Sequence, residues 1–130
     1  MYSETTRSVL ISVETEYLPE HSQPDQGRYV WAYHITIENR GSDTVQLINR
    51  YWRIIDGAGQ MQEVRGPGVV GEQPKLGPGE RFKYTSGVPL AVPGGFMSGH
   101  YQMVGSSGEM FNAIVPPFSL DAPQNTGKFH

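Results

Sequence analysis

Hydrophobic and polar residues alternate along most of this chain at the two-residue period of a half-buried strand. In the first such stretch Val9, Ile11, Val13 and Tyr17 share one face, while Ser12, Glu14 and Glu16 share the other. Residues 18–27, with two prolines, a glycine and many polar side chains, then break regular structure. The pattern is clearest over 29–38. Tyr29, Trp31, Tyr33, Ile35 and Ile37 face one way; Val30, Ala32, His34, Thr36 and Glu38 face the other. The larger aromatic face is expected in the core, and Asn39-Arg40-Gly41-Ser42-Asp43 reads as a hairpin exit.

The third strand, residues 44–55, changes phase. Val45 and Leu47 fit one register, Trp52 and Ile54 the opposite one. One extra residue swaps the faces downstream of it, so a β-bulge is predicted near Asn49-Arg50. Asp56-Gly57-Ala58-Gly59 reads as a hairpin loop before a short strand from Met61 to Val64. A loop rich in Gly and Pro, residues 66–79, leads into a strand where Phe82 and Tyr84 alternate with charges. A last hairpin pairs residues 95–104 with 109–115 around Gly105-Ser106-Ser107-Gly108, and Pro116-Pro117 is expected to end or bend its second strand. No segment of helical periodicity competes with these strands.

Composition narrows the picture. The 130 residues suit one domain, taken as 1–120, with 121–130 a polar tail expected to be mobile. The chain has no cysteine, which excludes disulfides, thiolate metal sites and a cysteine nucleophile. The net charge of −3 is spread without a basic stripe, so no nucleic-acid partner is expected. No basic segment followed by an apolar one opens the chain, and its apolar runs fall short of the roughly 20 residues that span a bilayer. The expectation is a cytoplasmic protein with no membrane association.

Several motifs stand in a distinctive order: Arg28-Tyr29-Val30-Trp31-Ala32-Tyr33, Asn39-Arg40-Gly41, Arg50-Tyr51-Trp52, Glu63 through Gly71, Pro78-Gly79-Glu80, Tyr84-Thr85-Ser86-Gly87 and Gly99-His100-Tyr101-Gln102-Met103. In that order and spacing, over residues 8–120, the chain resembles the bacterial ApaG family. The resemblance implies a fibronectin type III or immunoglobulin-like sandwich of two antiparallel sheets, with about seven or eight strands. Similar domains close certain eukaryotic F-box proteins and a DNA-polymerase-delta-interacting protein, which implies an interaction role. It also brings an association with cobalt and magnesium efflux, and no catalytic residues to carry over. Pro67 departs from the acidic residue more usual in that family, and it stiffens the loop.

Gly66-Pro67-Gly68-Val69-Val70-Gly71 matches G-x-G-x-x-G, yet the residues after it cannot open the helix that a dinucleotide site needs. A smaller role survives: an anion-binding nest with Arg65, Gly66, Gly68, Gly71 and Lys75, binding or hydrolysing a phosphate anhydride or nucleotide. Glu63 and Glu72 flank it but fall short of a catalytic pair. The four histidines, His21, His34, His100 and His130, offer no paired spacing on one strand, though His34 and His100 are able to meet across sheets. No metal site and no cofactor are expected. Glu14 and Glu16 read as a solvated face, and Ser86, His100 and Asp56 have no activating context. Trp31 and Trp52 read as core anchors. Tyr29, Tyr51, Phe96, Met97 and Tyr101 are the candidate contact residues, because aromatics and Met are enriched at interfaces. The favoured function is a non-catalytic interaction module that offers an unidentified protein partner a sheet edge or a loop-end patch. An uncovered edge would also be open to pairing with its copy.

Overall fold

The computed structural model describes residues 1–123. Its strands are β1 (Tyr2–Thr6), β2 (Val9–Tyr17), β3 (Tyr29–Asn39), β4 (Val45–Asp56), β5 (Met61–Pro67), β6 (Lys75–Leu76), β7 (Arg81–Leu90), β8 (Gly94–Gly105) and β9 (Met110–Asp121). They form two antiparallel sheets, one ordered β1-β2-β3-β7 and the other β5-β4-β8-β9 with β6 also on β4. The strands expected from the alternation and the two-sheet sandwich implied by the resemblance are both present. Two 3-10 turns, Pro19–His21 and Pro24–Gln26, fill the segment between β2 and β3.

The phase change in β4 is a bulge at Ile48. Leu47 pairs with Met103 and Asn49 with Gln102, which leaves Ile48 extra. Val45 and Leu47 are therefore buried on one side of the bulge, Trp52 and Ile54 on the other. The inward residues of both sheets meet in one core around Trp52. Its ring lies edge-on to Tyr33, Tyr101 and Phe118, with centroids 5.4, 6.0 and 6.0 Å away. Such pairs add to the large area each ring buries. Trp31, also in the core, donates its indole N–H to the Asp121 carbonyl at 3.0 Å.

Three expectations need correction, and a fourth is resolved. Residues 39–43 do not form a hairpin: β3 and β4 lie in different sheets, and this segment crosses between them. Buried Asn39 organises the crossing, donating to the Asp43 and Leu76 carbonyls while accepting from the Gly41 amide. Pro116-Pro117 bend the last strand, one of the two outcomes expected, without ending it: the two prolines oppose the single residue Ser98 in a second bulge on an edge strand that runs on to Asp121. There no central ladder is broken. The strand count rises to nine through β1 and β6. β1 turns into β2 at Arg7-Ser8, whose φ values of 47° and 69° make a two-residue turn without glycine. Finally, Asp121 belongs to β9, so the expected mobile tail does not begin there; its residues 124–130 lie outside the described residues.

Two of the three phenylalanines on the last hairpin separate core from surface. Phe118 is buried, and Phe96, facing the opposite way, is 62% exposed. In urea titrations Phe118→Ala is expected to cost about 3–5 kcal/mol. Phe96→Ala is expected to change stability by no more than about 0.5 kcal/mol.

Candidate functional site

The glycine-rich segment is built by its own backbone. Val69 and Glu72 exchange both amide–carbonyl bonds at 2.8 Å, closing a two-residue turn over Val70-Gly71. Both turn residues have positive φ, 43° and 82°, the geometry of a type I′ hairpin. Gly68, at φ 63°, donates to the Ile48 carbonyl, and a Cβ there would collide with the Glu72 carbonyl. The amides of Gly68, Val69 and Glu72 are thus spent inside the fold. The glycines of the motif serve geometry.

Arg50 is the cation that matters to this segment, and sequence reasoning missed it. Its guanidinium donates to the carbonyls of Pro67 and Gly68, both at 3.0 Å. It lies across Gly66, where a Cβ would come within 2.9 Å of its terminal nitrogen. The expected anion set is not brought together. Arg65 and Gly66 line a groove on the outer face of the second sheet, whereas Gly71 lines a cavity between the sheets. Lys75 lies on β6 opposite Gln46, outside both.

The groove, about 470 Å³, is lined by Asn49, Tyr51, Arg65, His100 and Gln102 among others. Strand register explains the set. Arg65, Tyr51, His100 and Ile114 form one cross-strand row, with Asn49, Gln102 and Asn112 in the row beside it. Tyr51 is sandwiched, with Arg65 4.5 Å over one side of its ring and His100 stacked 5.0 Å away. Its hydroxyl donates to Glu63, which holds the phenol above its ordinary pKa. At the far end of the same face Met61, Ile55 and Phe96 form an apolar row. Met61 is 55% exposed and Arg53 donates to its sulfur at 3.3 Å.

Of the expected contact residues, Tyr51 and Phe96 share this outer face. Met97 and Tyr101, at 1% and 0% exposure, do not: the strand period turns them into the core. Tyr29 belongs to the other sheet and packs half-buried against the core. The tyrosine hydroxyls of Tyr84 and Tyr101 share a hydrogen bond of 2.5 Å between the sheets, and burial raises both phenols. His34 and His100 do not meet. His34 is exposed on the four-stranded sheet, bonded to Thr85 and Glu16, whereas His100 lies in the outer groove of the other sheet. Among the described residues no three His, Asp or Glu side chains gather as metal ligands.

Two outcomes follow. Gly68→Ala, which meets both a positive φ and a backbone collision, is expected to cost about 1–3 kcal/mol in chemical denaturation. Gly71→Ala, with open space around it, bears the φ cost alone. The second concerns His100, whose pKa burial holds below 6.5, with Arg65 adding to the effect. The unfolded chain binds this proton more readily, so its contribution to stability is intact above 6.5 and is lost as pH falls toward the folded value. Arg65→Gln is expected to move the His100 midpoint upward in an NMR titration of its ring protons.

With this geometry in view, comparisons with known proteins give a consistent result. The ApaG domain family matches residues 19–105. Protein ApaG of Rhodospirillum centenum is 58% identical over 128 residues, covering 98% of each chain. That of Parvibaculum lavamentivorans is 57% identical over 130 residues, covering both chains fully. Among solved structures, the putative ApaA protein from Bordetella pertussis superposes with a TM-score of 0.87 at 49% identity, over 90% of this chain and 95% of that one. The C-terminal domain of wzt, at 9% identity and a TM-score of 0.57 over 95% of this chain and 78% of its own, shares the fold alone. By domain match, by full-length relatives and by solved structure alike, the chain belongs to the ApaG family.

Proposed function

We propose that this chain is a non-catalytic binding module whose protein partner docks on the outer face of β5-β4-β8-β9. The observation that carries this reading is the composition of that face. Phe96 and Met61 stand exposed in one row with Ile55, and Arg53, Tyr51 and Arg65 lie beside them. Aromatic, Met and Arg side chains are the types enriched at the centres of protein interfaces. No layer of the described chain covers them, because the first sheet packs on the opposite side. In this reading the link to cobalt and magnesium efflux that the resemblance implies runs through the partner, encountered in the cytoplasm.

The groove beside the apolar row supports the same reading. Arg65 is held over Tyr51 and paired with Glu63 at 3.4 Å, so its guanidinium is already ordered. An ordered cation loses less entropy when a partner's carboxylate arrives.

A photo-crosslinking amino acid in place of Phe96, compared with one in place of Glu14 on the outer face of the other sheet, tests the assignment in native extract. A discrete protein adduct is expected from position 96 only, abolished by adding Arg65→Glu. Identical adducts from both positions, or none from 96, would overturn it.

A further inference from the structure

We propose that the free edge of β7 is a second binding site, which takes an acidic, extended segment of a partner protein as an added strand. The inference rests on different residues from the outer face. Among the described residues β7 pairs only with β3, so one side of a ten-residue strand keeps its backbone donors and acceptors. An edge of this kind is a template for strand addition.

The two lateral sides of the sandwich differ. On the β1–β9 side the sheets are latched together: the Ile114 amide donates to the Thr6 hydroxyl at 3.1 Å, and the Tyr2 and Ser119 hydroxyls bond at 2.9 Å. On the β7 side one hydroxyl pair, Tyr84 and Tyr101, bridges the sheets at 2.5 Å, beside a cavity of about 250 Å³ lined by Tyr33, Arg50, Trp52, Val70, Tyr84 and Ser86. Phe82, Tyr84 and Ser86 are half-buried toward the inside, while Arg81, Lys83, Thr85 and Gly87 are exposed. A strand laid beside β7 would place every second side chain over that cavity, next to Tyr84 and Ser86, and the others beside Lys83 and Thr85. Apolar residues suit the first set and acids the second.

Charge selects the occupant. β7 carries Arg81 and Lys83 and no acid, within a chain whose net charge is −3. Arg81 is within 3.5 Å of the Glu38 carboxylate on β3. Lys83 lies opposite Thr36 and forms no ion pair among the described residues. A second copy's β7 would bring two more cations and no anion to the same edge, so self-pairing is opposed. An edge lysine guards against unselective pairing; toward an acidic strand the same charge attracts.

The test uses the full chain and the peptide acetyl-Glu-Val-Glu-Val-Glu-Val-Glu-amide, its counterpart with Lys for Glu, and an acidic version with alternate backbone nitrogens methylated. Backbone NMR shifts and amide exchange are the readouts. The acidic peptide is expected to saturate and to slow exchange within residues 83–87, and the other two are not. Lys83→Glu, a change at an exposed side chain, is expected to weaken binding about fivefold. Four results would overturn the proposal: no slowed amide in β7 at millimolar peptide, equal protection by the lysine peptide, undiminished binding by the methylated one, or β7 protection without peptide in a concentration-dependent dimer. Shifts confined to Met61, Arg65, Phe96 and His100 would also overturn it and would leave the outer-face reading standing.

Discussion

One inserted residue governs much of this molecule. With Ile48 unpaired against β8, the downstream half of β4 presents its even-numbered residues to the core, so Trp52 reaches the aromatic centre between the sheets. The same shift turns Asn49, Tyr51 and Arg53 outward, which creates the groove and the row beside it. The bulge also frees a carbonyl. Ile48 accepts from the Gly68 amide and from the Gln73 side chain, both at 2.9 Å, so the glycine-rich segment is fastened where the ladder is interrupted. Core packing, the outer surface and the loop thus share one local cause, as bulges commonly re-aim side chains.

Arg50 links the two cavities that result. It lines the outer groove and the cavity between the sheets, and it binds the carbonyls of Pro67 and Gly68 between them. A motif that in other folds cradles phosphate is here occupied by the protein's own guanidinium and its own carbonyls. A Cβ at Gly66 would crowd the guanidinium that lies across it, and at Gly68 only glycine fits so close to the Glu72 carbonyl at that φ.

The sandwich is asymmetric in a way that bears on function. Its β1–β9 side is closed by two side-chain hydrogen-bond latches, while the β7 side, bridged by the Tyr84–Tyr101 hydroxyl pair, keeps a cavity lined by Arg50 and two phenols. The outer face of the second sheet adds exposed Phe96 and Met61. A scaffold that leaves a face and an edge uncovered has surface to offer a partner, and among the described residues its buried polar side chains are already satisfied within the fold.

The alternation of residues was enough to determine an all-β chain, the inward faces of β2 and β3, and the phase change in β4, because strand side chains obey a strict period of two. Motif order pointed to the ApaG family for the same reason that spacing is visible in one dimension. Tertiary structure alone decided the rest. β1 stayed hidden because its turn uses Arg7-Ser8 rather than glycine. Met97 and Tyr101 looked like neighbours of Phe96, yet their facing depends on which sheet covers which side of β8. That the Gly68 and Val69 amides of the glycine motif are taken up by Ile48 and Glu72 was visible only once the fold placed those partners. Nothing local showed what Arg50 binds, since its partners lie 17 and 18 residues away and reach it only through the pairing of β4 with β5. Composition and period describe a strand; which edge is left bare is a property of the assembled sheets.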